Sequence, residues 1–167
     1  MKIVCVVSAL DVQLNYGCTP AWWQFLKGLH ELGHDVVAIP YAGGAFATPW
    51  WRCYANPCQT EGTAFGALKK ILGKGANSGG TSTSAGAGGA INRKLIESWV
   101  RPRWEAQLAK VLETERNVDA AIVFSVPLNH FTGLPSRLRA KYGVPFFFFD
   151  GDVPASLPKF GGFASGF

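Results

Sequence analysis

An α/β fold built on an open parallel sheet is predicted by three features of the sequence. The chain begins with "KIVCVVSAL", a continuous apolar run rich in β-branched residues, as a strand buried on both faces requires. A helical pattern and a second run, "HDVVAIPY", follow within the first 41 residues, which makes a βαβ unit. Two later runs, "VDAAIVFSVP" and "VPFFFFD", are separated by another helical stretch, and this alternation is the pattern of a parallel sheet with helices on both faces.

Each element has its own local reason. Thr19 is a good N-cap and Pro20 suits the first helical position, where its missing N–H is not needed. Trp22, Phe25, Leu26, Leu29 and Leu32 then recur at three- and four-residue spacing, one apolar helical face. Gly33 is placed for the left-handed turn that ends such a helix. Residues 42–90 show turn residues without a clear period, apart from a short helix expected at 64–72. Residues 73–90, "GKGANSGGTSTSAGAGGA", offer almost no side chains to pack and are expected to form an exposed, flexible loop. A long helical pattern over residues 91–115 contains Pro102, which should kink or split it. A third strand is expected at 118–126, a helix at 136–142 ended by Gly143, and a fourth strand at 144–149. The expected architecture is thus one domain, residues 1–167, with a Rossmann-like open parallel sheet of about four or more strands.

The bulk properties restrict function less than fold. The chain has 167 residues, 48% of them apolar, enough for a sizeable core. Its net charge of +5 suits an anionic ligand, an anionic membrane surface or nucleic acid and by itself selects none of them; nucleic acid is not expected as a partner. No run reaches the length of a membrane span and the first residues lack the form of a signal peptide, so a cytoplasmic location is expected, with a possible peripheral membrane contact. That contact is expected in "RKLIESWVRPRW", residues 93–104, from its four basic residues and two Trp. The four cysteines, Cys5, Cys18, Cys53 and Cys58, are expected as thiols, and their spacing does not suit zinc. The loop after the first strand lacks G-x-G-x-x-G. No cofactor and no metal are expected.

In open α/β sheets the ligand sits beyond the carboxyl ends of the strands. That rule selects Asp11, Asn15, Tyr16, Gly17 and Thr19 after the first strand as substrate-binding candidates. Tyr41, Gly43 and Gly44 follow the second strand. Ser125, Asn129 and His130 follow the third, and Asp150 and Asp152 follow the fourth. Gly17 permits close backbone approach, and Thr19 starts a helix whose N–H groups suit an anionic or hydroxyl-rich ligand. Asp150 and Asp152 form a D-x-D, read here as hydrogen-bonding carboxylates rather than a metal site. His130 is the one histidine of three at a strand's carboxyl end, and its ordinary pKa suits it to accept a proton as the catalytic base.

The opening strand, the polar loop and "AWWQFLKGLHELGHDVVAIPY", with its L-x-x-x-G-H-x-V over residues 29–36, resemble the N-terminal domain of GT-B-fold glycosyltransferases. "VDAAIVFSVP" and "YGVPFFFFDGD" resemble that family's later strands. The resemblance covers residues 1–41 and 118–152. It implies the N-terminal, acceptor-side half of a two-domain enzyme that transfers a sugar from a nucleotide-sugar donor to a carbohydrate or lipid-linked acceptor. The donor would be held by a C-terminal nucleotide-sugar domain that these 167 residues do not include, so this chain alone is expected to be inactive and to be part of a longer protein. Two alternatives remain open: a Rossmann-like nucleotide-binding domain of another enzyme class, and a non-catalytic interaction domain.

Overall fold

A computed structural model describes residues 1–10, 21–60 and 94–149. Five parallel strands form one open sheet: β1 (Lys2–Ala9), β2 (Asp35–Ala42), β3 (Arg52–Cys53), β4 (Ala120–Phe124) and β5 (Phe146–Phe149). Their order across the sheet is β3-β2-β1-β4-β5, and every pairing is parallel. β1 lies at the centre, with Val4 opposite Val37 on one side and Ala121 on the other. This is the expected Rossmann-like sheet, with one strand more than the four apolar runs indicated. β3 pairs only through Val37 with Arg52 and Ala38 with Cys53, and a two-residue strand carries no readable period.

The central strands are buried on both faces, and alternate residues feed two separate cores. Val4, Val6, Val37, Ile39, Ala121 and Val123 face the helices α2 (Arg101–Glu115) and α3 (Leu134–Tyr142), against Trp104, Leu108, Val111 and Leu138. Ile3, Cys5, Val7, Val36, Ala38 and Phe124 face α1 (Ala21–Glu31), against Leu26 and Trp51. Cys5 is a buried core thiol whose pKa burial pushes up to about 12, so it is inert at physiological pH.

α1 buries Leu26 fully and Trp22, Trp23 and Leu29 in part, but Leu32 lies past the helix end and is 75% exposed. The helix stops at Gly33, whose φ of 85° lets the N–H of His34 reach back to the Leu29 carbonyl at 3.1 Å. Thr19 and Pro20, the short helix at 64–72 and the loop at 73–90 lie outside the described residues.

Pro102 acts differently from a kink in mid-helix. Residues Ile96–Val100 form a turn of π-helix, closed by the N–H of Arg101 on the Ile96 carbonyl, and Pro102 falls in the first turn of α2. There its missing N–H is harmless, and the wide turn before it absorbs the geometry that a continuous α-helix would not accept. α3 begins two residues earlier than its expected start, at Leu134, and ends at Gly143 with φ 72° as expected. Among the described residues no helix is long and apolar enough to cross a membrane.

Candidate functional site

The strand order dictates where the sheet can open. The chain runs outward from β1 to β2 and β3, then returns across to β4 and continues to β5. The switch point therefore lies between β1 and β4, and the crevice beyond their carboxyl ends is the place a ligand enters an open α/β sheet. β1 ends there at Ala9, followed by the buried Leu10, whose carbonyl accepts a hydrogen bond from Trp23 Nε1 at 3.1 Å. β4 ends at Phe124, followed by Ser125.

Ser125 adopts φ 41°, a left-handed backbone that a serine takes at a cost of roughly 1–2 kcal/mol. Its N–H donates to the Phe149 carbonyl at 2.9 Å, which ties the ends of β4 and β5 together. Strain of this kind persists where surrounding structure imposes it, and it clusters at ligand sites. The chain then turns through a short 3₁₀ segment, Leu128–His130, which anchors Leu128 in the core and leaves Asn129 and His130 half-buried.

His130 and Tyr41 form the centre of the site. Tyr41 Oη lies 2.5 Å from His130 Nδ1, a hydrogen bond joining β2 to the loop after β4. The Tyr41 ring stacks on Trp104 of α2, with centroids 5.8 Å apart and an interplanar angle of 14°. Phe131 packs against Trp104 at 5.1 Å and against Tyr41 at 6.4 Å. The Tyr41 backbone is held as well, because Asn56 Nδ2 donates to its carbonyl at 2.8 Å while Asn56 Oδ1 accepts from the Cys58 N–H. Arg101, the first residue of α2, donates from Nε and Nη2 to the Asn129 carbonyl at 3.0 and 2.8 Å.

The electrostatics keep this group neutral apart from Arg101. Burial, and then the positive charge of Arg101, bring His130 down to about 4. The imidazole is therefore uncharged at physiological pH and a weaker base than a histidine of ordinary pKa, which revises the expectation that its pKa sits near working pH. Burial, with Cys58 as a lesser cause, raises the Tyr41 phenol above its usual range, so it keeps its proton. Trp104 is fully buried, and among the described residues its Nε1 has no hydrogen-bond partner.

Of the sequence-predicted site residues, Ser125, Asn129 and His130 come together in one loop at the switch point. Asp11, Asn15, Tyr16, Gly17, Thr19, Asp150 and Asp152 lie outside the described residues. Asn56, Arg101 and Trp104 were not singled out as site residues. Arg101 and Trp104 fall in the basic and aromatic stretch assigned to a membrane, yet Trp104 is buried and Arg101 faces the Asn129 carbonyl. Trp104 is therefore not available to a membrane surface, while Arg101 is half-buried. Leu95 and Trp99 remain exposed, with the Arg103 guanidinium 4.9 Å from the Trp99 ring centroid. Among the described residues no three His, Cys, Asp or Glu side chains are grouped to hold a metal ion.

The fold is that of a Rossmann-like α/β domain with an open, all-parallel sheet. No family model, curated protein or solved structure matches the chain.

Proposed function

We propose that the chain is the acceptor-side domain of a GT-B-type glycosyltransferase, binding a carbohydrate or lipid-linked acceptor at the β1/β4 crevice. The observation that carries the reading is the meeting of Ser125, Asn129 and His130 at the switch point, on the loop that leaves β4. Those are hydroxyl, amide and imidazole groups, which suit a polyol ligand rather than an apolar one. The nucleotide-sugar donor would be held by a second domain outside these 167 residues. Sugar transfer would then proceed by attack of an acceptor hydroxyl on the anomeric carbon, and this domain's part is to hold and orient that hydroxyl.

The strand order β3-β2-β1-β4-β5 favours a second reading, a nucleotide-binding domain of another enzyme class, because dinucleotide-binding halves share it. Titration of the ¹⁵N-labelled chain separates the two. Amide shifts at Ser125, Asn129 and His130 with oligosaccharides, and none with free nucleotides, support the acceptor reading. Shifts with nucleotides alone support the second, and no shift with either removes both.

The acceptor reading also accommodates a peripheral membrane contact through Leu95, Trp99 and Arg103. Co-sedimentation with anionic vesicles should exceed that with neutral ones, and Trp99→Ala should abolish the difference. Equal sedimentation with both vesicle types removes the membrane contact.

A further inference from the structure

The short contact between Tyr41 and His130 leaves open which group gives the proton, and the surroundings decide it. Both side chains are neutral at physiological pH, because burial and then Arg101 disfavour an imidazolium and burial disfavours a phenolate. A neutral imidazole has one N–H and one bare nitrogen, and the bond made by one nitrogen dictates the state of the other.

Two arguments assign the donor. A phenol is a stronger acid than a neutral imidazole N–H, and a bare imidazole nitrogen is a stronger base than a phenol oxygen. The O–H···N arrangement is therefore the stronger bond. If Nδ1 instead carried the proton and gave it to Tyr41 Oη, the tyrosine O–H would need an acceptor of its own. Among the described residues Tyr41 Oη has only His130 within hydrogen-bond reach. A partly buried O–H without an acceptor is costly.

The tyrosine is also placed to act as a fixed donor. Its ring is clamped on Trp104, its backbone carbonyl is tied to Asn56, and its strand is paired along β1. His130 is held at its other end by the 3₁₀ turn and by Arg101 on the preceding carbonyl. Among the described residues His130 Nε2 has no partner, and it is not one of the buried side-chain nitrogens left unsatisfied.

We infer that the Tyr41 hydroxyl donates to His130 Nδ1 and fixes the imidazole in the tautomer protonated at Nε2. Tyr41 is then a positioning residue, and His130 meets its ligand as a hydrogen-bond donor to an acceptor oxygen, that of a sugar hydroxyl or of a phosphate. The ligand half of this inference rests on the reading that the β1/β4 crevice is the binding site, while the tautomer half does not. A histidine protonated at Nε2 cannot take a proton there from an acceptor hydroxyl, so it orients that oxygen and the base is another group.

The test is nitrogen-detected NMR of the imidazole in the ¹⁵N-labelled chain at neutral pH. The expected spectrum has a bare Nδ1, a one-bond N–H coupling at Nε2, and a slowly exchanging Tyr41 hydroxyl proton coupled to Nδ1. Tyr41→Phe keeps the ring on Trp104 and should lose the shared proton and give a mixture of both tautomers, with the backbone amide spectrum otherwise preserved. A one-bond coupling at Nδ1 in the unaltered chain overturns the inference, and so does an imidazole spectrum unchanged by Tyr41→Phe. Titration with neutral oligosaccharides and, separately, with inorganic phosphate then identifies the oxygen source by which one shifts Nε2–H. If the tautomer is as expected and neither ligand moves Nε2–H, the assignment of His130 as a ligand donor and the acceptor reading both fall, while the role of Tyr41 stands.

Discussion

The two ends of the same sheet are built on opposite electrostatic plans. At the amino ends of the strands, charges are matched. Arg52 at the start of β3 donates to Asp35 at the start of β2, at 2.8 and 3.1 Å, and to Glu115 at the end of α2, at 3.3 and 2.7 Å. Lys2 pairs with both acids, its ammonium also donates to the Glu115 carbonyl, and Tyr54 Oη adds a 2.9 Å bond to Glu115. The Lys2 N–H donates to Asp119 at 2.6 Å, just before β4. At the carboxyl ends, Arg101 has no acid partner among the described residues and is held by one carbonyl. Ser125 is strained, and Trp104 Nε1 has no partner among the described residues. One end thus closes its polar groups on each other, binding β2, β3 and α2 into one unit. The other, among the described residues, carries a cation held by a carbonyl, a strained turn and a neutral Tyr41–His130 pair in place of matched charges.

The comparison can be broken most severely at the carboxyl end, because that is where the aromatic core reaches the site. Trp104→Ala removes the surface on which Tyr41 and Phe131 pack, and should cost about 3–5 kcal/mol. Urea unfolding followed by far-UV circular dichroism measures it. A loss within error of zero would show that the Tyr41 clamp is not held by this packing.

A smaller loss is expected from the amino end. Glu115→Gln keeps the shape but removes the charge that Arg52, Lys2 and Tyr54 share, and should cost about 1–3 kcal/mol. Ligand titrations at the crevice should be unchanged by it. A variant that alters binding at Ser125 and Asn129 would mean that the two ends are coupled.

The two ends should also titrate in different windows. Hydrogen bonds from Arg52 hold Glu115 and Asp35 below the usual carboxylate range. A depressed acid contributes stability that is present above its unfolded pKa and lost as pH falls through the folded value, so the amino end weakens below about pH 4.5. His130 is lowered from 6.5 to about 4 in the fold, so the unfolded chain binds its proton first. Its contribution is complete above 6.5 and is lost as pH falls from there to about 4. Urea midpoints measured across pH 3.5–7 should decline in two stages. His130→Gln should flatten the upper stage and Glu115→Gln the lower, and a single stage unaffected by His130→Gln would dissolve the distinction.

The smallest effect is a gain. Glycine takes the backbone of Ser125 without strain, so Ser125→Gly should stabilise by about 0.5–1 kcal/mol while weakening oligosaccharide binding. Equilibrium unfolding and the NMR titration read the two together. If binding is retained, the strain at Ser125 serves the β4–β5 join rather than the ligand.

The chain's own pattern was enough for the fold class, because burial on both faces leaves a signature in consecutive residues. Val4 to Val7 and Ala120 to Phe124 are apolar without alternation since helices cover both sides of them, and Gly33 and Gly143 mark helix ends that demand positive φ. The rule that ligands bind at strand carboxyl ends also brought Ser125, Asn129 and His130 into view. Beyond that, the deciding contacts join residues far apart in the chain. Arg101 reads locally as one more cation in a basic stretch, and Trp104 as one more membrane-facing aromatic, until α2 packs over the sheet, buries Trp104 and brings Arg101 onto the Asn129 carbonyl. β3 exists only because β2 offers it an edge. The pairing of Tyr41 with His130 links strands on either side of β1, residues 89 apart, and no local periodicity encodes which strand ends become neighbours. Sequence determines which segments are strands and which loops are polar. The order in which the strands assemble determines which polar groups share a crevice, and the burial that follows sets their charge.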